Sequence, residues 1–154
     1  MENRYFIKNY MLEQLQKIGN ATLCPIAVIT RNKKILMGYR HYTPDKWKKI
    51  SVWTVPGGRC DEGETIEKTL RREVQEEVGV TDLEIIEYLG EVSGAKDGDI
   101  VPIFACETNQ DPILMEPEKF SEWKWVNFSE YTNGELYTFN SKARKVIMNY
   151  ISRV

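Results

Sequence analysis

The chain has 154 residues, of which 42% are hydrophobic, enough to bury the core of a single domain. A net charge of −2 and a pI of about 5.6 exclude the broad basic face of a large nucleic-acid footprint and argue against stable nucleic-acid binding. The three cysteines, Cys24, Cys60 and Cys106, have no CxxC spacing; they make neither a disulfide framework nor a zinc site and fit a reducing, cytoplasmic setting.

The N-terminus carries Glu2 and Arg4 and has no long apolar run, so it reads as neither a secretion signal nor a membrane span. Residues 5–18 read as a helix with Ile7, Met11, Leu15 and Ile18 on one side and Gly19 as its end. Residues 1–20 are thus an N-terminal helical extension of one domain covering 1–154. Residues 22–30 are apolar and rich in β-branched side chains, the pattern of a buried strand. Asn32 and Lys33 make a turn, and residues 34–39 return as the second strand of a hairpin. Residues 40–50 are polar and basic (Arg40, Lys46, Lys48, Lys49) with Pro44, and predict a loop; the sole histidine, His41, has no Cys or His partner and belongs to it. Residues 52–55 form a short strand, and Pro56-Gly57-Gly58 turns the chain.

Residues 58–80 read GRCDEGETIEKTLRREVQEEVGV. From 64 to 78 there is no Pro or Gly and good helix formers dominate; Gly79 is a natural C-cap. Ile66, Leu70, Val74 and Val78 recur every four residues as a buried stripe. On an ideal wheel Glu73 and Glu77 lie about 40° apart, with Glu76 about 60° to the other side of Glu73. That carboxylate sector flanks the apolar stripe, whereas Lys68, Arg71 and Glu64 fall on the far side. Like charges at i,i+4 cost a few tenths of a kcal/mol without a counter-ion. Clustered carboxylates on a rigid element suit a hard cation such as Mg²⁺, a common device for attacking phosphate esters and anhydrides. Cys60, in the adjoining loop, reads as an incidental thiol.

Residues 83–92 read as strand, 93–99 as a turn holding two glycines and two aspartates, and 100–107 as the partner strand. A Pro-containing loop spans 109–120. Residues 122–128 alternate as a strand, with Trp123 and Trp125 on one face. Asn133-Gly134 marks a turn, and 141–151 closes as a helix burying Ala143, Val146, Ile147, Tyr150 and Ile151. The sum is an α/β fold, a mixed sheet with helices packed against it.

The block from Gly58 to Val80 resembles the signature of the Nudix hydrolases, G-x5-E-x7-R-E-U-x-E-E-x-G-U with U bulky and aliphatic. Gly58, Glu64, Arg72, Glu73, Val74, Glu76, Glu77, Gly79 and Val80 fill every fixed position. Trp53, Pro56 and Gly57 look like the usual approach to it, and the likeness of layout spans residues 22–128. The resemblance implies an α/β/α sandwich and metal-assisted hydrolysis of a nucleoside diphosphate linked to another group. It implies Mg²⁺, with Mn²⁺ as a substitute, on Glu73, Glu76, Glu77 and the Gly58 carbonyl. It further implies an Arg72–Glu64 pair that holds the loop to the helix within the catalytic apparatus. A general base comes either from the box helix or from a distant loop; Glu76 is the first choice, with Glu116 or Glu118 behind it.

Residues 116–125 are similar to a stretch in Nudix enzymes that act on nucleoside triphosphates, oxidised ones included, which gives Glu118 a place near substrate or metal-bound water. Residues 96–98 lack the proline or tyrosine that marks ADP-ribose and dinucleoside-polyphosphate hydrolases. Arg40 and Arg59 are candidates for phosphate oxygens. Trp53, Tyr39, Tyr42, Trp47, Trp123 and Trp125 are candidates for a nucleobase face. The expectation is a MutT-like pyrophosphohydrolase that turns a nucleoside triphosphate, 8-oxo-dGTP among the options, into a monophosphate and pyrophosphate. The alternatives are a nucleoside-diphosphate-sugar or dinucleoside-polyphosphate hydrolase and a non-catalytic nucleotide-binding domain. The resemblance also allows a homodimer, with the N-terminal helix contributing.

Overall fold

The structure, a computed structural model, describes residues 2–41, 51–136, 138 and 140–154. Its elements run α1 (Glu2–Leu15), β1 (Ile26–Arg31), β2 (Lys34–Arg40), β3 (Val52–Thr54), α2 (Ile66–Val78), β4 (Glu84–Ser93), β5 (Ile100–Glu107), β6 (Phe120–Asn127), α3 (Phe128–Thr132) and α4 (Ser141–Ile151). The expected loop over 40–50, with the aromatic candidates Tyr42 and Trp47, falls from 42 onward outside the described residues.

Strand β1 is buried on both faces at Ala27, Val28 and Ile29, which is why its sequence is apolar up to Ile29 and turns polar only at Thr30 and Arg31. Ala27 and Ile29 face a layer made by α2 and the end of α1; Val28 faces the opposite layer made by α3 and α4. The two cores on either side of one mixed sheet make the α/β/α sandwich that the resemblance implies. The sheet order is β3-β2-β1-β5-β4, with β6 on β2. Among the strands of the described residues only β1 and β5 pair in parallel; β4 returns antiparallel on β5.

The β1–β2 hairpin turns at Asn32 and Lys33, both at positive φ (51° and 61°), the twisted two-residue loop that right-handed strands favour. Its strands pair at only two positions before they part. Residues 52–58 fill the gap: β3 pairs with β2, while Pro56 O accepts from Ala27 N and Gly58 N donates to Pro25 O. The chain that follows the split therefore enters the loop before α2 from the middle of the sheet.

Three elements depart from the sequence expectation. The first strand begins at Ile26, not at 22, because Pro25 has no N–H to continue the ladder; Leu23 makes only an isolated bridge to Ile100. Helix α1 ends at Leu15 and buries Met11 and Leu15, but Ile7 and Ile18 stay exposed. It leans on β4 through an edge-on Tyr10–Tyr88 contact, ring centroids 5.5 Å apart, so only its last turns reach the core. Helix α3 follows β6 directly and buries Tyr131; five residues are too few to show periodicity in the sequence.

Leu70, fully buried in the middle of the α2 stripe, anchors that helix. Leu70→Ala is expected to cost about 2–5 kcal/mol in urea unfolding. Lys68→Ala on the exposed face should stay within about 0.5 kcal/mol. Equal effects of the two would contradict the stripe.

Candidate active site

Helix α2 is capped at both ends. Thr65 Oγ1 accepts from Lys68 N, and Gly79, in the left-handed region (φ 70°), returns its N–H to Gln75 O. Thr65 itself is extended (φ −70°, ψ 157°), so the residue before it is not on the helix. This corrects the placement of Glu64 on the solvent side of the wheel: Glu64 turns back and is 8% exposed. Its carboxylate accepts from Arg72 Nε and Nη2, both at 2.9 Å, from Thr69 Oγ1 at 2.6 Å and from Asp61 N at 3.0 Å. The paired guanidinium is the main reason its pKa falls from the usual 4.5 to about 2.

Arg72 spends its remaining donors on the rest of the loop and helix. Nη1 reaches Glu73 Oε1 at 2.9 Å and both Glu76 oxygens at 3.4 Å, and Nη2 donates to Arg59 O at 3.2 Å. The Arg72–Glu64 pair implied by the resemblance is thus present, and it ties the loop at 59–64 to the first two turns of α2.

Glu73 lies against the backbone of Gly58. A Cβ on Gly58 would sit 2.4 Å from the Glu73 carboxyl carbon, so only glycine admits that contact. Glu77 is buried (5% exposed) and accepts from Gly57 N at 2.8 Å. Burial, helped by the charges of Glu73 and Glu116, pushes Glu77 up to about 8 against the lowering effect of that N–H. Burial likewise raises Glu73 in spite of Arg72. Glu76 is half exposed, and among the described residues its only hydrogen-bond and ion-pair partner is Arg72.

Among the described residues no three His, Cys, Asp or Glu side chains already converge on one ion-sized point, and Arg72 bridges Glu73 and Glu76. The donor set nevertheless suits a hard divalent cation. It offers carboxylate oxygens beside a backbone stretch without a Cβ, and two acidic groups, Glu73 and Glu77, whose burial outweighs the Arg72 and Gly57 contacts that favour their charged forms. A cation there would reverse the upward shifts of Glu73 and Glu77.

Glu73 and Glu77 open onto a cleft of about 510 Å³, a size suited to a small-molecule ligand. One wall carries Arg40, His41 and Trp53; the other carries Cys24, Arg59 and Lys96. Trp53 leans on Tyr39 at 4.9 Å between ring centroids, and Lys124 Nζ lies 4.7 Å from its ring. Arg40 sits 5.7 Å from the Phe120 ring and has no ion-pair partner among the described residues. Arg59 lines the cleft with its guanidinium already committed, to Asp99 at 2.9 and 2.7 Å and to Ala21 O at 2.8 Å.

The structure does not bring every candidate here. Glu118 is exposed and does not line the cleft. Two residues earlier, Glu116 turns inward, pairs with Lys119 at 3.3 Å and keeps Oε1 buried without a hydrogen-bond partner among the described residues. Trp123 and Trp125 do not line the cleft; half-buried, they pack against the α1–α2 core, Trp125 under Arg31 at 4.6 Å. Sequence reading did not foresee Tyr131, Asn140 and Arg144 at the far end of the cleft; they come from α3 and α4, with no local motif to single them out.

Residues 23–150 match the family model of the NUDIX domain. A NAD-capped RNA hydrolase NudC of Mannheimia succiniciproducens is 31% identical over 111 residues, 70% of this chain and 41% of that protein. An RNA pyrophosphohydrolase of Pelagibacter ubique is 24% identical over 126 residues, 70% and 77% of the two chains. The chain spans less than half the length of the NudC relatives it matches. A MutT NUDIX hydrolase from Burkholderia pseudomallei superposes with TM-score 0.64 at 21% identity, covering 83% of this chain and 95% of that one. A C. elegans Ap4A hydrolase, solved as a binary complex, gives 0.66 at 20% identity, covering 84% and 96%. These two likenesses show a shared fold.

The lowered pKa of Glu64 fixes the sign of an acid effect. Its stabilisation is complete above the unfolded value of 4.5 and is lost as pH falls towards about 2. Urea midpoints of the parent should therefore drop through that window, and Glu64→Gln should be less stable at pH 7 with a shallower drop. A mutant that parallels the parent at every pH would contradict the assignment.

Proposed function

The chain belongs to the Nudix family, and on that premise we propose that it is a Mg²⁺-dependent hydrolase of nucleoside triphosphates that releases a monophosphate and pyrophosphate. The observation that supports this best is the placement of half-buried Glu73 and buried Glu77 beside Gly58 and Gly57, lining a cleft that also carries cations and an indole. In this reading Glu73, Glu76, Glu77 and the Gly58 carbonyl hold Mg²⁺, and Mn²⁺ substitutes for it. When bound, the metal supplies Lewis-acid polarisation of the phosphoryl oxygen and a more acidic water.

The other roles fall to the chain's own groups. Arg72 and Glu64 set the spacing of loop and helix, so they position the carboxylates and do not touch substrate. Arg40 binds phosphate oxygens, and Trp53 offers its ring to the nucleobase. Glu76, half exposed and only loosely held by Arg72, takes the proton of the attacking water. Glu116 is its rival, on the strength of its buried, unbonded oxygen beside Glu77. None of the relatives described above is named for an oxidised nucleotide, so the proposal stops at triphosphates as a class. A second reading, a phosphorylated or capped RNA 5′ end as substrate, rests on the names of the two curated relatives. Such an end needs only a few nucleotides in the cleft and does not conflict with an acidic pI.

A Mg²⁺ assay over nucleoside triphosphates, sugar nucleotides and short RNAs with triphosphate or NAD 5′ ends tests both. Pyrophosphate with monophosphate is the expected product pair from triphosphates. Glu77→Gln should lower the rate at least about 100-fold, the upper end of what loss of a metal-supporting partner costs. Unchanged turnover in that variant, or orthophosphate as the first product, would overturn the proposal.

A further inference from the structure

The cations along the cleft are not equivalent. Arg59 is spent on Asp99, and Lys119 on Glu116. Arg144 donates to the carbonyls of Tyr131 and Thr132. Arg40 and Lys96 line the same cleft with no ion-pair partner among the described residues.

Topology puts these two on opposite sides of the box carboxylates. Gly57 bridges to Ile26 at the start of the central strand β1. Arg40 ends β2 on one side of it, and Lys96 sits in the β4–β5 turn on the other. Trp53 pairs with Tyr39 next to Arg40, so the aromatic face belongs to the Arg40 side. A nucleoside seated there would send its phosphate chain across Glu73 and Glu77 towards Lys96.

The turn that presents Lys96 is braced. Asp99, 6% exposed, accepts both guanidinium arms of Arg59 and the backbone N–H of Lys96 at 3.3 Å. Asp99 N donates to Lys96 O at 3.0 Å, and Gly94 N to Asp99 O at 2.8 Å. Because Arg59 directly follows Gly58, Asp99 fixes the β4–β5 turn to the same backbone that carries the box loop. Its carboxylate is filled by Arg59, which leaves the Lys96 ammonium for an outside anion.

We propose that Lys96, positioned by the Arg59–Asp99 brace, binds the terminal phosphate of the substrate and selects triphosphates over diphosphate-linked compounds. Lys96 is a binding and specificity residue; Asp99 is a positioning residue that acts through it. This rests on the reading of the cleft as a nucleotide site, but its test does not need hydrolysis.

Calorimetric binding of the α,β-methylene analogues of ATP and GTP, and of the corresponding ADP and GDP analogues, in Mg²⁺ reads it directly. Lys96→Ala should weaken the triphosphate analogues about tenfold, the loss of one charge-assisted contact, and leave the diphosphate analogues unchanged. Lys96→Arg should restore the preference. Asp99→Asn should lose the same preference, and the double variant should lose no more than either single one. Equal weakening of both analogue classes, an unaltered preference in Lys96→Ala, additive losses in the double variant, or no binding by the parent chain would each overturn the proposal. Selective loss in Lys96→Ala alongside full turnover in Glu77→Gln would leave this inference standing while removing the proposed catalytic centre.

Discussion

The Arg72 guanidinium holds the site together. It makes a two-pronged pair with a Glu64 that is almost fully buried, and reaches Glu73, Glu76 and the Arg59 carbonyl with what remains. A planar fork with five donors can join a loop and a helix in fixed geometry where a lysine could not. Loss of the cation would leave the Glu64 carboxylate buried without its main partner, a far larger cost than losing a surface pair. Glu64, Glu73 and Glu76 are therefore placed by reference to one side chain, and Glu77 is held separately by the Gly57 N–H.

Two further constraints convert that placement into a cleft. The early separation of β1 and β2 lets residues 52–58 enter between them, so the loop before α2 starts at the centre of the sheet. The missing Cβ at Gly58 then lets Glu73 lie on the backbone, while Gly57 N–H holds Glu77. Placing a buried and a half-buried carboxylate four residues apart on one helix is costly for an isolated domain. The cost explains why burial drives both groups towards the protonated form, and why a divalent cation would be strongly favoured between them.

Local pattern foretold local structure well. The four-residue apolar stripe of α2, its Gly79 cap, strand β5 and helix α4 all sit where periodicity and turn residues put them, since each depends on neighbours in the chain. The Nudix block was legible for the same reason. What could not be read depends on distant partners. Arg59 carried the marks of a phosphate ligand, but Asp99, 40 residues on, takes its guanidinium. Glu118 and Glu116 differ by two positions in a loop without periodicity, and only the folded loop shows which turns inward. Glu64 was misplaced because an ideal wheel continues a helix through a residue that the Thr65 cap has already turned out of it.

The central claim is that the carboxylates held by Arg72 and by the Gly57 N–H meet at one divalent ion. Anomalous scattering from crystals grown with Mn²⁺ and a non-cleavable nucleotide measures this most directly. The account predicts a manganese peak in contact with oxygens of Glu73 and Glu77 and with the Gly58 carbonyl, facing the cleft. A peak elsewhere on the molecule, or none, with those carboxylates turned to bulk solvent would contradict it.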